Sequence, residues 1–205
     1  MAMLQSVNGL PDHGCGGLGR VAHGALTAPS DVPAWPRLFL GYNTLPDPPF
    51  PLVGYLQYEL GPQAGEVEPQ VLLRMMAESM RAQPVPPKES FDESRQRVAT
   101  AMRVDAMVVV VRARAMAPGE NEAARALWAN LAEGYYREGD AEACAGARET
   151  VVALAVDRAG GRLTLMAEQD AAPVLLPGEA RGPLFDLLGE VLDAQYTWTK
   201  AAFAL

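Results

Sequence analysis

Apolar residues recur along the chain with two distinct periods, and these divide it into helices and strands. Between Val67 and Gln83, Val71, Leu72, Met75, Met76 and Met80 fall three or four apart, which puts them on one face of a helix. Pro69 is tolerated in its first turn and Pro84 marks its exit. The same spacing predicts a helix over Glu120–Glu138, through Ala124, Leu127, Trp128, Leu131 and Tyr135. A third, over Pro183–Phe203, runs through Leu184, Leu188, Val191, Trp198 and Ala202. A shorter, more polar helix is expected after PVPPKES, with Ser90 as its N-cap and Glu93 three residues on, as in a capping box.

Strand patterns fill the intervals. Arg37–Tyr42 and Leu52–Leu60 are short β-prone runs separated by the proline-rich TLPDPPFP. DAMVVVVRARA, Asp105 to Ala115, contains four adjacent valines, which disfavour helix and suit a central strand buried on both faces. Thr150–Val156 and Arg162–Ala167 flank DRAGG and predict a hairpin. Residues 1–36 hold neither period and are expected to be an irregular Gly/Pro-rich arm, touching the fold through Leu10, Leu18, Val21 and Leu26. Residues 37–205 are expected to form a single α+β domain, entered by Ala34–Tyr42 as an edge strand. The second half reads βαββα. That order implies a right-handed parallel crossover, and so a mixed sheet with helices mainly on one face. It resembles a ferredoxin-like fold without its last strand, an architecture that hosts many unrelated functions.

Charge and cysteine content narrow the function. A net charge of −8, with cations scattered among carboxylates, lacks the concentrated basic face that nucleic-acid binding requires. No stretch is apolar enough to span a membrane, and MAMLQSVNGLPDHG lacks the basic start and apolar run of a signal peptide. Cys15 and Cys144 stand far apart, outside any CxxC spacing, so two free thiols in a cytoplasmic protein are expected.

Candidate chemistry concentrates in His13–Gly24, HGCGGLGRVAHG, which holds both histidines. Gly14, Gly16 and Gly19 satisfy G-x-G-x-x-G, but the preceding NGLPDH is a poor strand and no acidic residue follows about 20 positions on. No cofactor is expected. His13, Cys15 and His23 are the candidate metal ligands, although H-x-C-x₇-H matches no common zinc spacing and no metal is expected. The same three residues are the candidate catalytic groups, through a thiolate–imidazolium pair beside Arg112 and Arg114, which project from one face of the predicted central strand.

Leu45 to Gly61, LPDPPFPLVGYLQYELG, resembles a segment in the N-terminal region of the chorismate-utilising anthranilate and aminodeoxychorismate synthases, and ETVVALAVDRAGGRLTLMA is similar to a later hairpin there. The motifs of that family's large catalytic domain do not occur in this chain. The resemblance implies a diverged or truncated relative without catalysis of its own. The leading expectation is a non-catalytic protein-interaction or assembly module, a subunit, adaptor or structural component, whose partner is another protein or a second copy. Trp35, Trp128, Tyr135, Tyr136 and Trp198 are the candidate interface anchors. The alternative is a small-ligand-binding protein or enzyme built on the His13/Cys15/His23 segment.

Overall fold

The computed structural model describes residues 4–29, 36–44, 52–60, 64–65, 67–115, 121–132, 140, 144, 146–168, 171–176 and 181–203. In chain order the elements are β1 (Gln5–Ser6), α1 (Gly16–Thr27), β2 (Arg37–Thr44), β3 (Gly54–Tyr58), α2 (Pro69–Ala82), a 3₁₀ turn (Lys88–Ser90), α3 (Glu93–Ala101), β4 (Met102–Ala115), α4 (Glu122–Ala132), β5 (Arg148–Asp157), β6 (Arg162–Glu168), β7 (Val174–Leu175) and α5 (Pro183–Phe203). Helices with one seven-stranded sheet, ordered β1-β3-β2-β4-β5-β6-β7, make the protein α+β, as its sequence indicates.

β4 is the central strand, paired with β2 on one side and β5 on the other. Its valine run is buried on both faces. Ala106, Val108 and Val110 join Phe39, Ala153, Ala155 and Leu165 under α1. Met107 and Val109 point the other way, against Leu73 of α2 and Leu188, Val191 and Leu192 of α5. Two apolar layers therefore share one sheet. α3 leans on α5 and on the start of β4.

Three expectations are corrected. The sheet is not mixed: every strand pair among the described residues is antiparallel. β4 and β5 pair from Ala115↔Arg148 to Ala106↔Asp157, so the chain between them returns to the end it left instead of crossing the length of the sheet. An antiparallel pair with a helix in its connection shows the same strand-helix-strand pattern as a crossover. Second, the first 36 residues contain α1, whose Leu18, Val21, Ala22, Ala25 and Leu26 form a buried stripe at helical spacing. Glycine's low helix propensity hides that stripe, and burial under the sheet overrides it. Helices thus cover both faces, with α1 on one and α2 and α5 on the other. Third, β2 is an internal strand between β3 and β4, not an edge.

Other local signals hold. α5 covers the predicted residues, and the β5–β6 hairpin turns at Gly160, which has φ of +89°. The expected N-cap does not hold: α3 is capped by Asp92, whose Oδ1 accepts from Arg95 N–H at 2.8 Å, while Ser90 lies in the preceding turn and its hydroxyl donates to the Pro87 carbonyl. The Ser94 hydroxyl, then that backbone N–H, hold the Asp92 carboxyl below its ordinary range. Asn121 caps α4 in the same way, accepting from Ala124 N–H at 2.7 Å.

Truncating Leu188, fully buried on α5, is expected to cost about 2–5 kcal/mol in denaturant unfolding, whereas Val71→Ala on the exposed side of α2 stays within about 0.5 kcal/mol. Equal costs for the two would show that α5 is not docked on the sheet.

Candidate functional site

The His13–Gly24 segment folds back along α1. A tight turn precedes the helix: Asp12 Oδ1 accepts from Gly14 N–H at 3.0 Å, and its carbonyl accepts from Cys15 N–H at 2.8 Å. His13 (φ 52°), Gly14 (φ 77°) and Gly16 (φ 59°) all take left-handed backbone there, costly for histidine and natural for glycine. Gly19 serves another purpose, since a Cβ at that position would overlap the Asp12 carbonyl oxygen. At Gly24 a Cβ would stand 2.5 Å from the Tyr55 ring. The glycines of the fingerprint are accounted for by a turn and by close packing of chain on helix.

This path brings both histidines together. His13 Nε2 and His23 Nδ1 lie 2.9 Å apart, with ring centroids at 5.2 Å. Such a bond needs one ring nitrogen to donate and the other to accept, so a doubly protonated pair loses it. Partial burial, and then repulsion from His13, push the His23 pKa below its ordinary value. Cys15 is a free, half-buried thiol at the start of α1, and its Sγ lies 3.8 Å from the His13 carbonyl oxygen it donates to. Of the three candidates, then, the two imidazoles meet each other, while the thiol's hydrogen bond goes to backbone. Among the described residues no group of three or more His, Cys, Asp or Glu side chains is placed to hold a metal ion.

Arg112 and Arg114 do share one face of β4, the α1 side, opposite Val151 and Glu149. They line a cleft of about 490 Å³ with Leu26, Glu149 and Glu168. Arg114 Nη2 donates to the Ala147 carbonyl at 3.3 Å. His13, Cys15 and His23 are not in its wall.

Of the candidate anchors, Trp198 is half-buried: its Nε1–H donates to the Pro84 carbonyl at 3.4 Å and its ring meets Phe91 edge-on. Trp35, Tyr135 and Tyr136 lie outside the described residues, as does the Trp128 side chain on α4. Apolar exposure concentrates elsewhere. Val174, Leu175 and Leu176, at the outer end of the sheet, are 51%, 38% and 36% exposed.

A second cleft, about 360 Å³, opens where α3, α5 and the start of β4 converge, and no sequence pattern announces it. Tyr42, Phe91, Met102, Val104 and Phe203 supply its apolar wall, with Phe91 and Phe203 ring centroids 4.6 Å apart. Arg95 and Arg103 are the charged residues in the lining. Arg103 is fixed from behind: Nε and Nη2 donate to the two oxygens of Asp105 at 2.7 and 2.8 Å. Asn43, buried opposite it in the ladder, donates Nδ2–H to Asp105 Oδ2. The bonds to Asp105 hold the Arg103 pKa above its ordinary value. Gln195 completes the lining, and its Oε1 is buried without a hydrogen-bond partner.

The close packing at Gly19 makes Gly19→Ala destabilising by about 1–3 kcal/mol despite alanine's better helix propensity, because the obstructing atom is backbone. Gly189→Ala, with open space around it in α5, is expected to stabilise by about 0.5–1 kcal/mol in the same unfolding measurement. A stabilising Gly19→Ala would refute the packing role. The histidine pair sets a pH dependence. With the folded pKa of His23 depressed, the unfolded chain binds more protons, so the contribution is complete above about pH 6.5 and declines as pH falls through the folded value. An NMR titration should place the His23 midpoint below that of a free histidine, and His23→Asn should flatten stability between about pH 7.5 and 5.5 relative to wild type.

No known protein family, curated protein or solved structure matches the chain. The segment resembling the chorismate-utilising enzymes has local work here: a Cβ at Gly54 would stand 2.7 Å from the Gln5 carbonyl oxygen of β1, and Tyr55 packs over Gly24.

Proposed function

We propose that the protein is a non-catalytic interaction module that takes up an extended apolar segment of a partner protein along β7. The observation that carries this reading is the run Val174-Leu175-Leu176, three successive exposed apolar side chains on β7 and the residue that follows it. One side of β7 is paired with β6, continued by Leu176 N–H donating to the Thr164 carbonyl at 3.0 Å; among the described residues no strand follows it on the other side. The outward N–H and C=O groups of an edge strand template pairing, and charge, proline, a bulge or short length ordinarily blunts them; β7 is two residues long and follows Pro173, but its side chains carry no charge. An apolar edge instead suits strand addition, in which backbone hydrogen bonds supply affinity and pockets for alternate side chains supply selectivity. The chemistry of the His13–Gly24 segment favours the same side of the choice, since its imidazoles bond to each other and its thiol to a carbonyl.

Selection of displayed short peptides on the full-length chain is expected to enrich extended apolar sequences, and bound peptide should slow amide exchange at 174–176. Val174→Lys combined with Leu176→Lys should weaken that binding at least tenfold while thermal unfolding shifts little, both side chains being exposed. If no peptide is enriched, or the double variant binds as well as wild type, the β7 reading fails. Light scattering on the same preparation shows whether the occupant is a second copy.

A further inference from the structure

The cleft between α3, α5 and β4 is independent of the β7 edge, and its chemistry defines a ligand. Three properties of its wall act together. The first is size: the volume of about 360 Å³ lies at the small end of the range of about 300–1,000 Å³ typical of small-molecule pockets, which suits a compact ring system. The second is the wall, where Tyr42, Phe91, Met102, Val104 and Phe203 offer flat, polarizable surface from four separate parts of the chain.

The third is charge. Both charged residues in the lining are arginines. Arg95 is tethered loosely, its Nε 3.3 Å from an exposed Asp92 oxygen. Arg103 is held rigidly, and its pair with Asp105 engages Nε and Nη2 but not Nη1. Asp105 is itself anchored by the buried Asn43, so the guanidinium is set in place before any ligand arrives. A pre-oriented arginine at the mouth of an apolar cleft is matched by a carboxylate, whose two oxygens fit its planar donors.

We propose that this cleft binds a small aromatic carboxylate, its ring between Phe91, Phe203 and Met102 and its carboxylate on Arg103. Arg103 is the residue that selects for the acid; Asp105 and Asn43 are positioning residues that act through it.

The probe is 2-naphthoate, titrated into the full-length chain by calorimetry and by its own fluorescence, with 2-naphthalenemethanol as the uncharged counterpart. The acid is expected to bind at least tenfold more tightly than the alcohol, and added salt should narrow that gap. Arg103→Gln should abolish the preference for the acid, while Arg103→Lys restores part of it. Ala99→Phe fills the cleft and should remove binding of both. Because these variants can perturb folding, contacts from naphthoate ring protons to the Met102 methyl, measured by NMR on the unaltered protein, locate the ligand independently. Acid and alcohol binding equally, naphthoate contacts away from Met102, or no binding of naphthoate at millimolar concentration would each overturn the proposal.

Discussion

Burial of β4 on both faces is the constraint from which the rest of the architecture follows. Val108 and Val110 point one way and Met107 and Val109 the other, and all four are essentially withdrawn from solvent. Each such side chain contributes about 1.5–3 kcal/mol when fully buried, provided that something covers it. One helical layer can cover only one face. The α2–α5 layer, both amphipathic, serves the first; the second needs cover from elsewhere in the chain, and α1 supplies it with Leu18, Val21 and Leu26. Glycine-rich as it is, α1 is helical because the sheet beneath it makes helix the conformation that buries most.

That dependence explains what could be read from the sequence. α5 carries an apolar stripe on good helix formers and announces itself, and the β5–β6 hairpin does the same through alternation around a glycine turn; α2 is announced as a helix, but it buries Leu73 and Ala77 and leaves Val71 and Met75 of the expected stripe exposed. Local signals decide in these cases because burial agrees with propensity. In α1 the two conflict, and only the position of the sheet resolves the conflict. Sheet direction was equally out of reach: strand-helix-strand spacing is common to a crossover and to an antiparallel pair with a long connection, and the registers, Ala115 beside Arg148, distinguish them. β1 and β7, two residues each, are too short for any periodicity to mark.

The candidate sites divide in the same way. His13 and His23 are ten residues apart and one of the few pairings a sequence could suggest; they do meet, because the chain doubles back over Gly19. The arginine cleft was illegible for the opposite reason. Its wall draws on residues from Tyr42 to Phe203, gathered by β2, α3, β4 and α5, and its key guanidinium is oriented by Asp105 and Asn43 from neighbouring strands. Short-range motifs describe what one segment can do alone, whereas a cleft of this kind exists only after the sheet and helices have assembled.

The register of β4 also bears on how the molecule reaches its native state. Both neighbours of this strand are remote along the chain: β2 is separated from it by residues 45–101 and β5 by residues 116–147. The β5–β6 hairpin closes over a few residues and can form within about 1–10 μs, but pairing on either side of Val108–Val111 must await closure of a long intervening segment. The most β-prone, most apolar stretch of the protein is thus the one that spends longest without its partners during folding. In a concentrated solution of nascent chains that interval exposes an uncharged valine ribbon to its own copies, and the speed of long-range closure, more than the final stability, sets how much of the protein escapes aggregation.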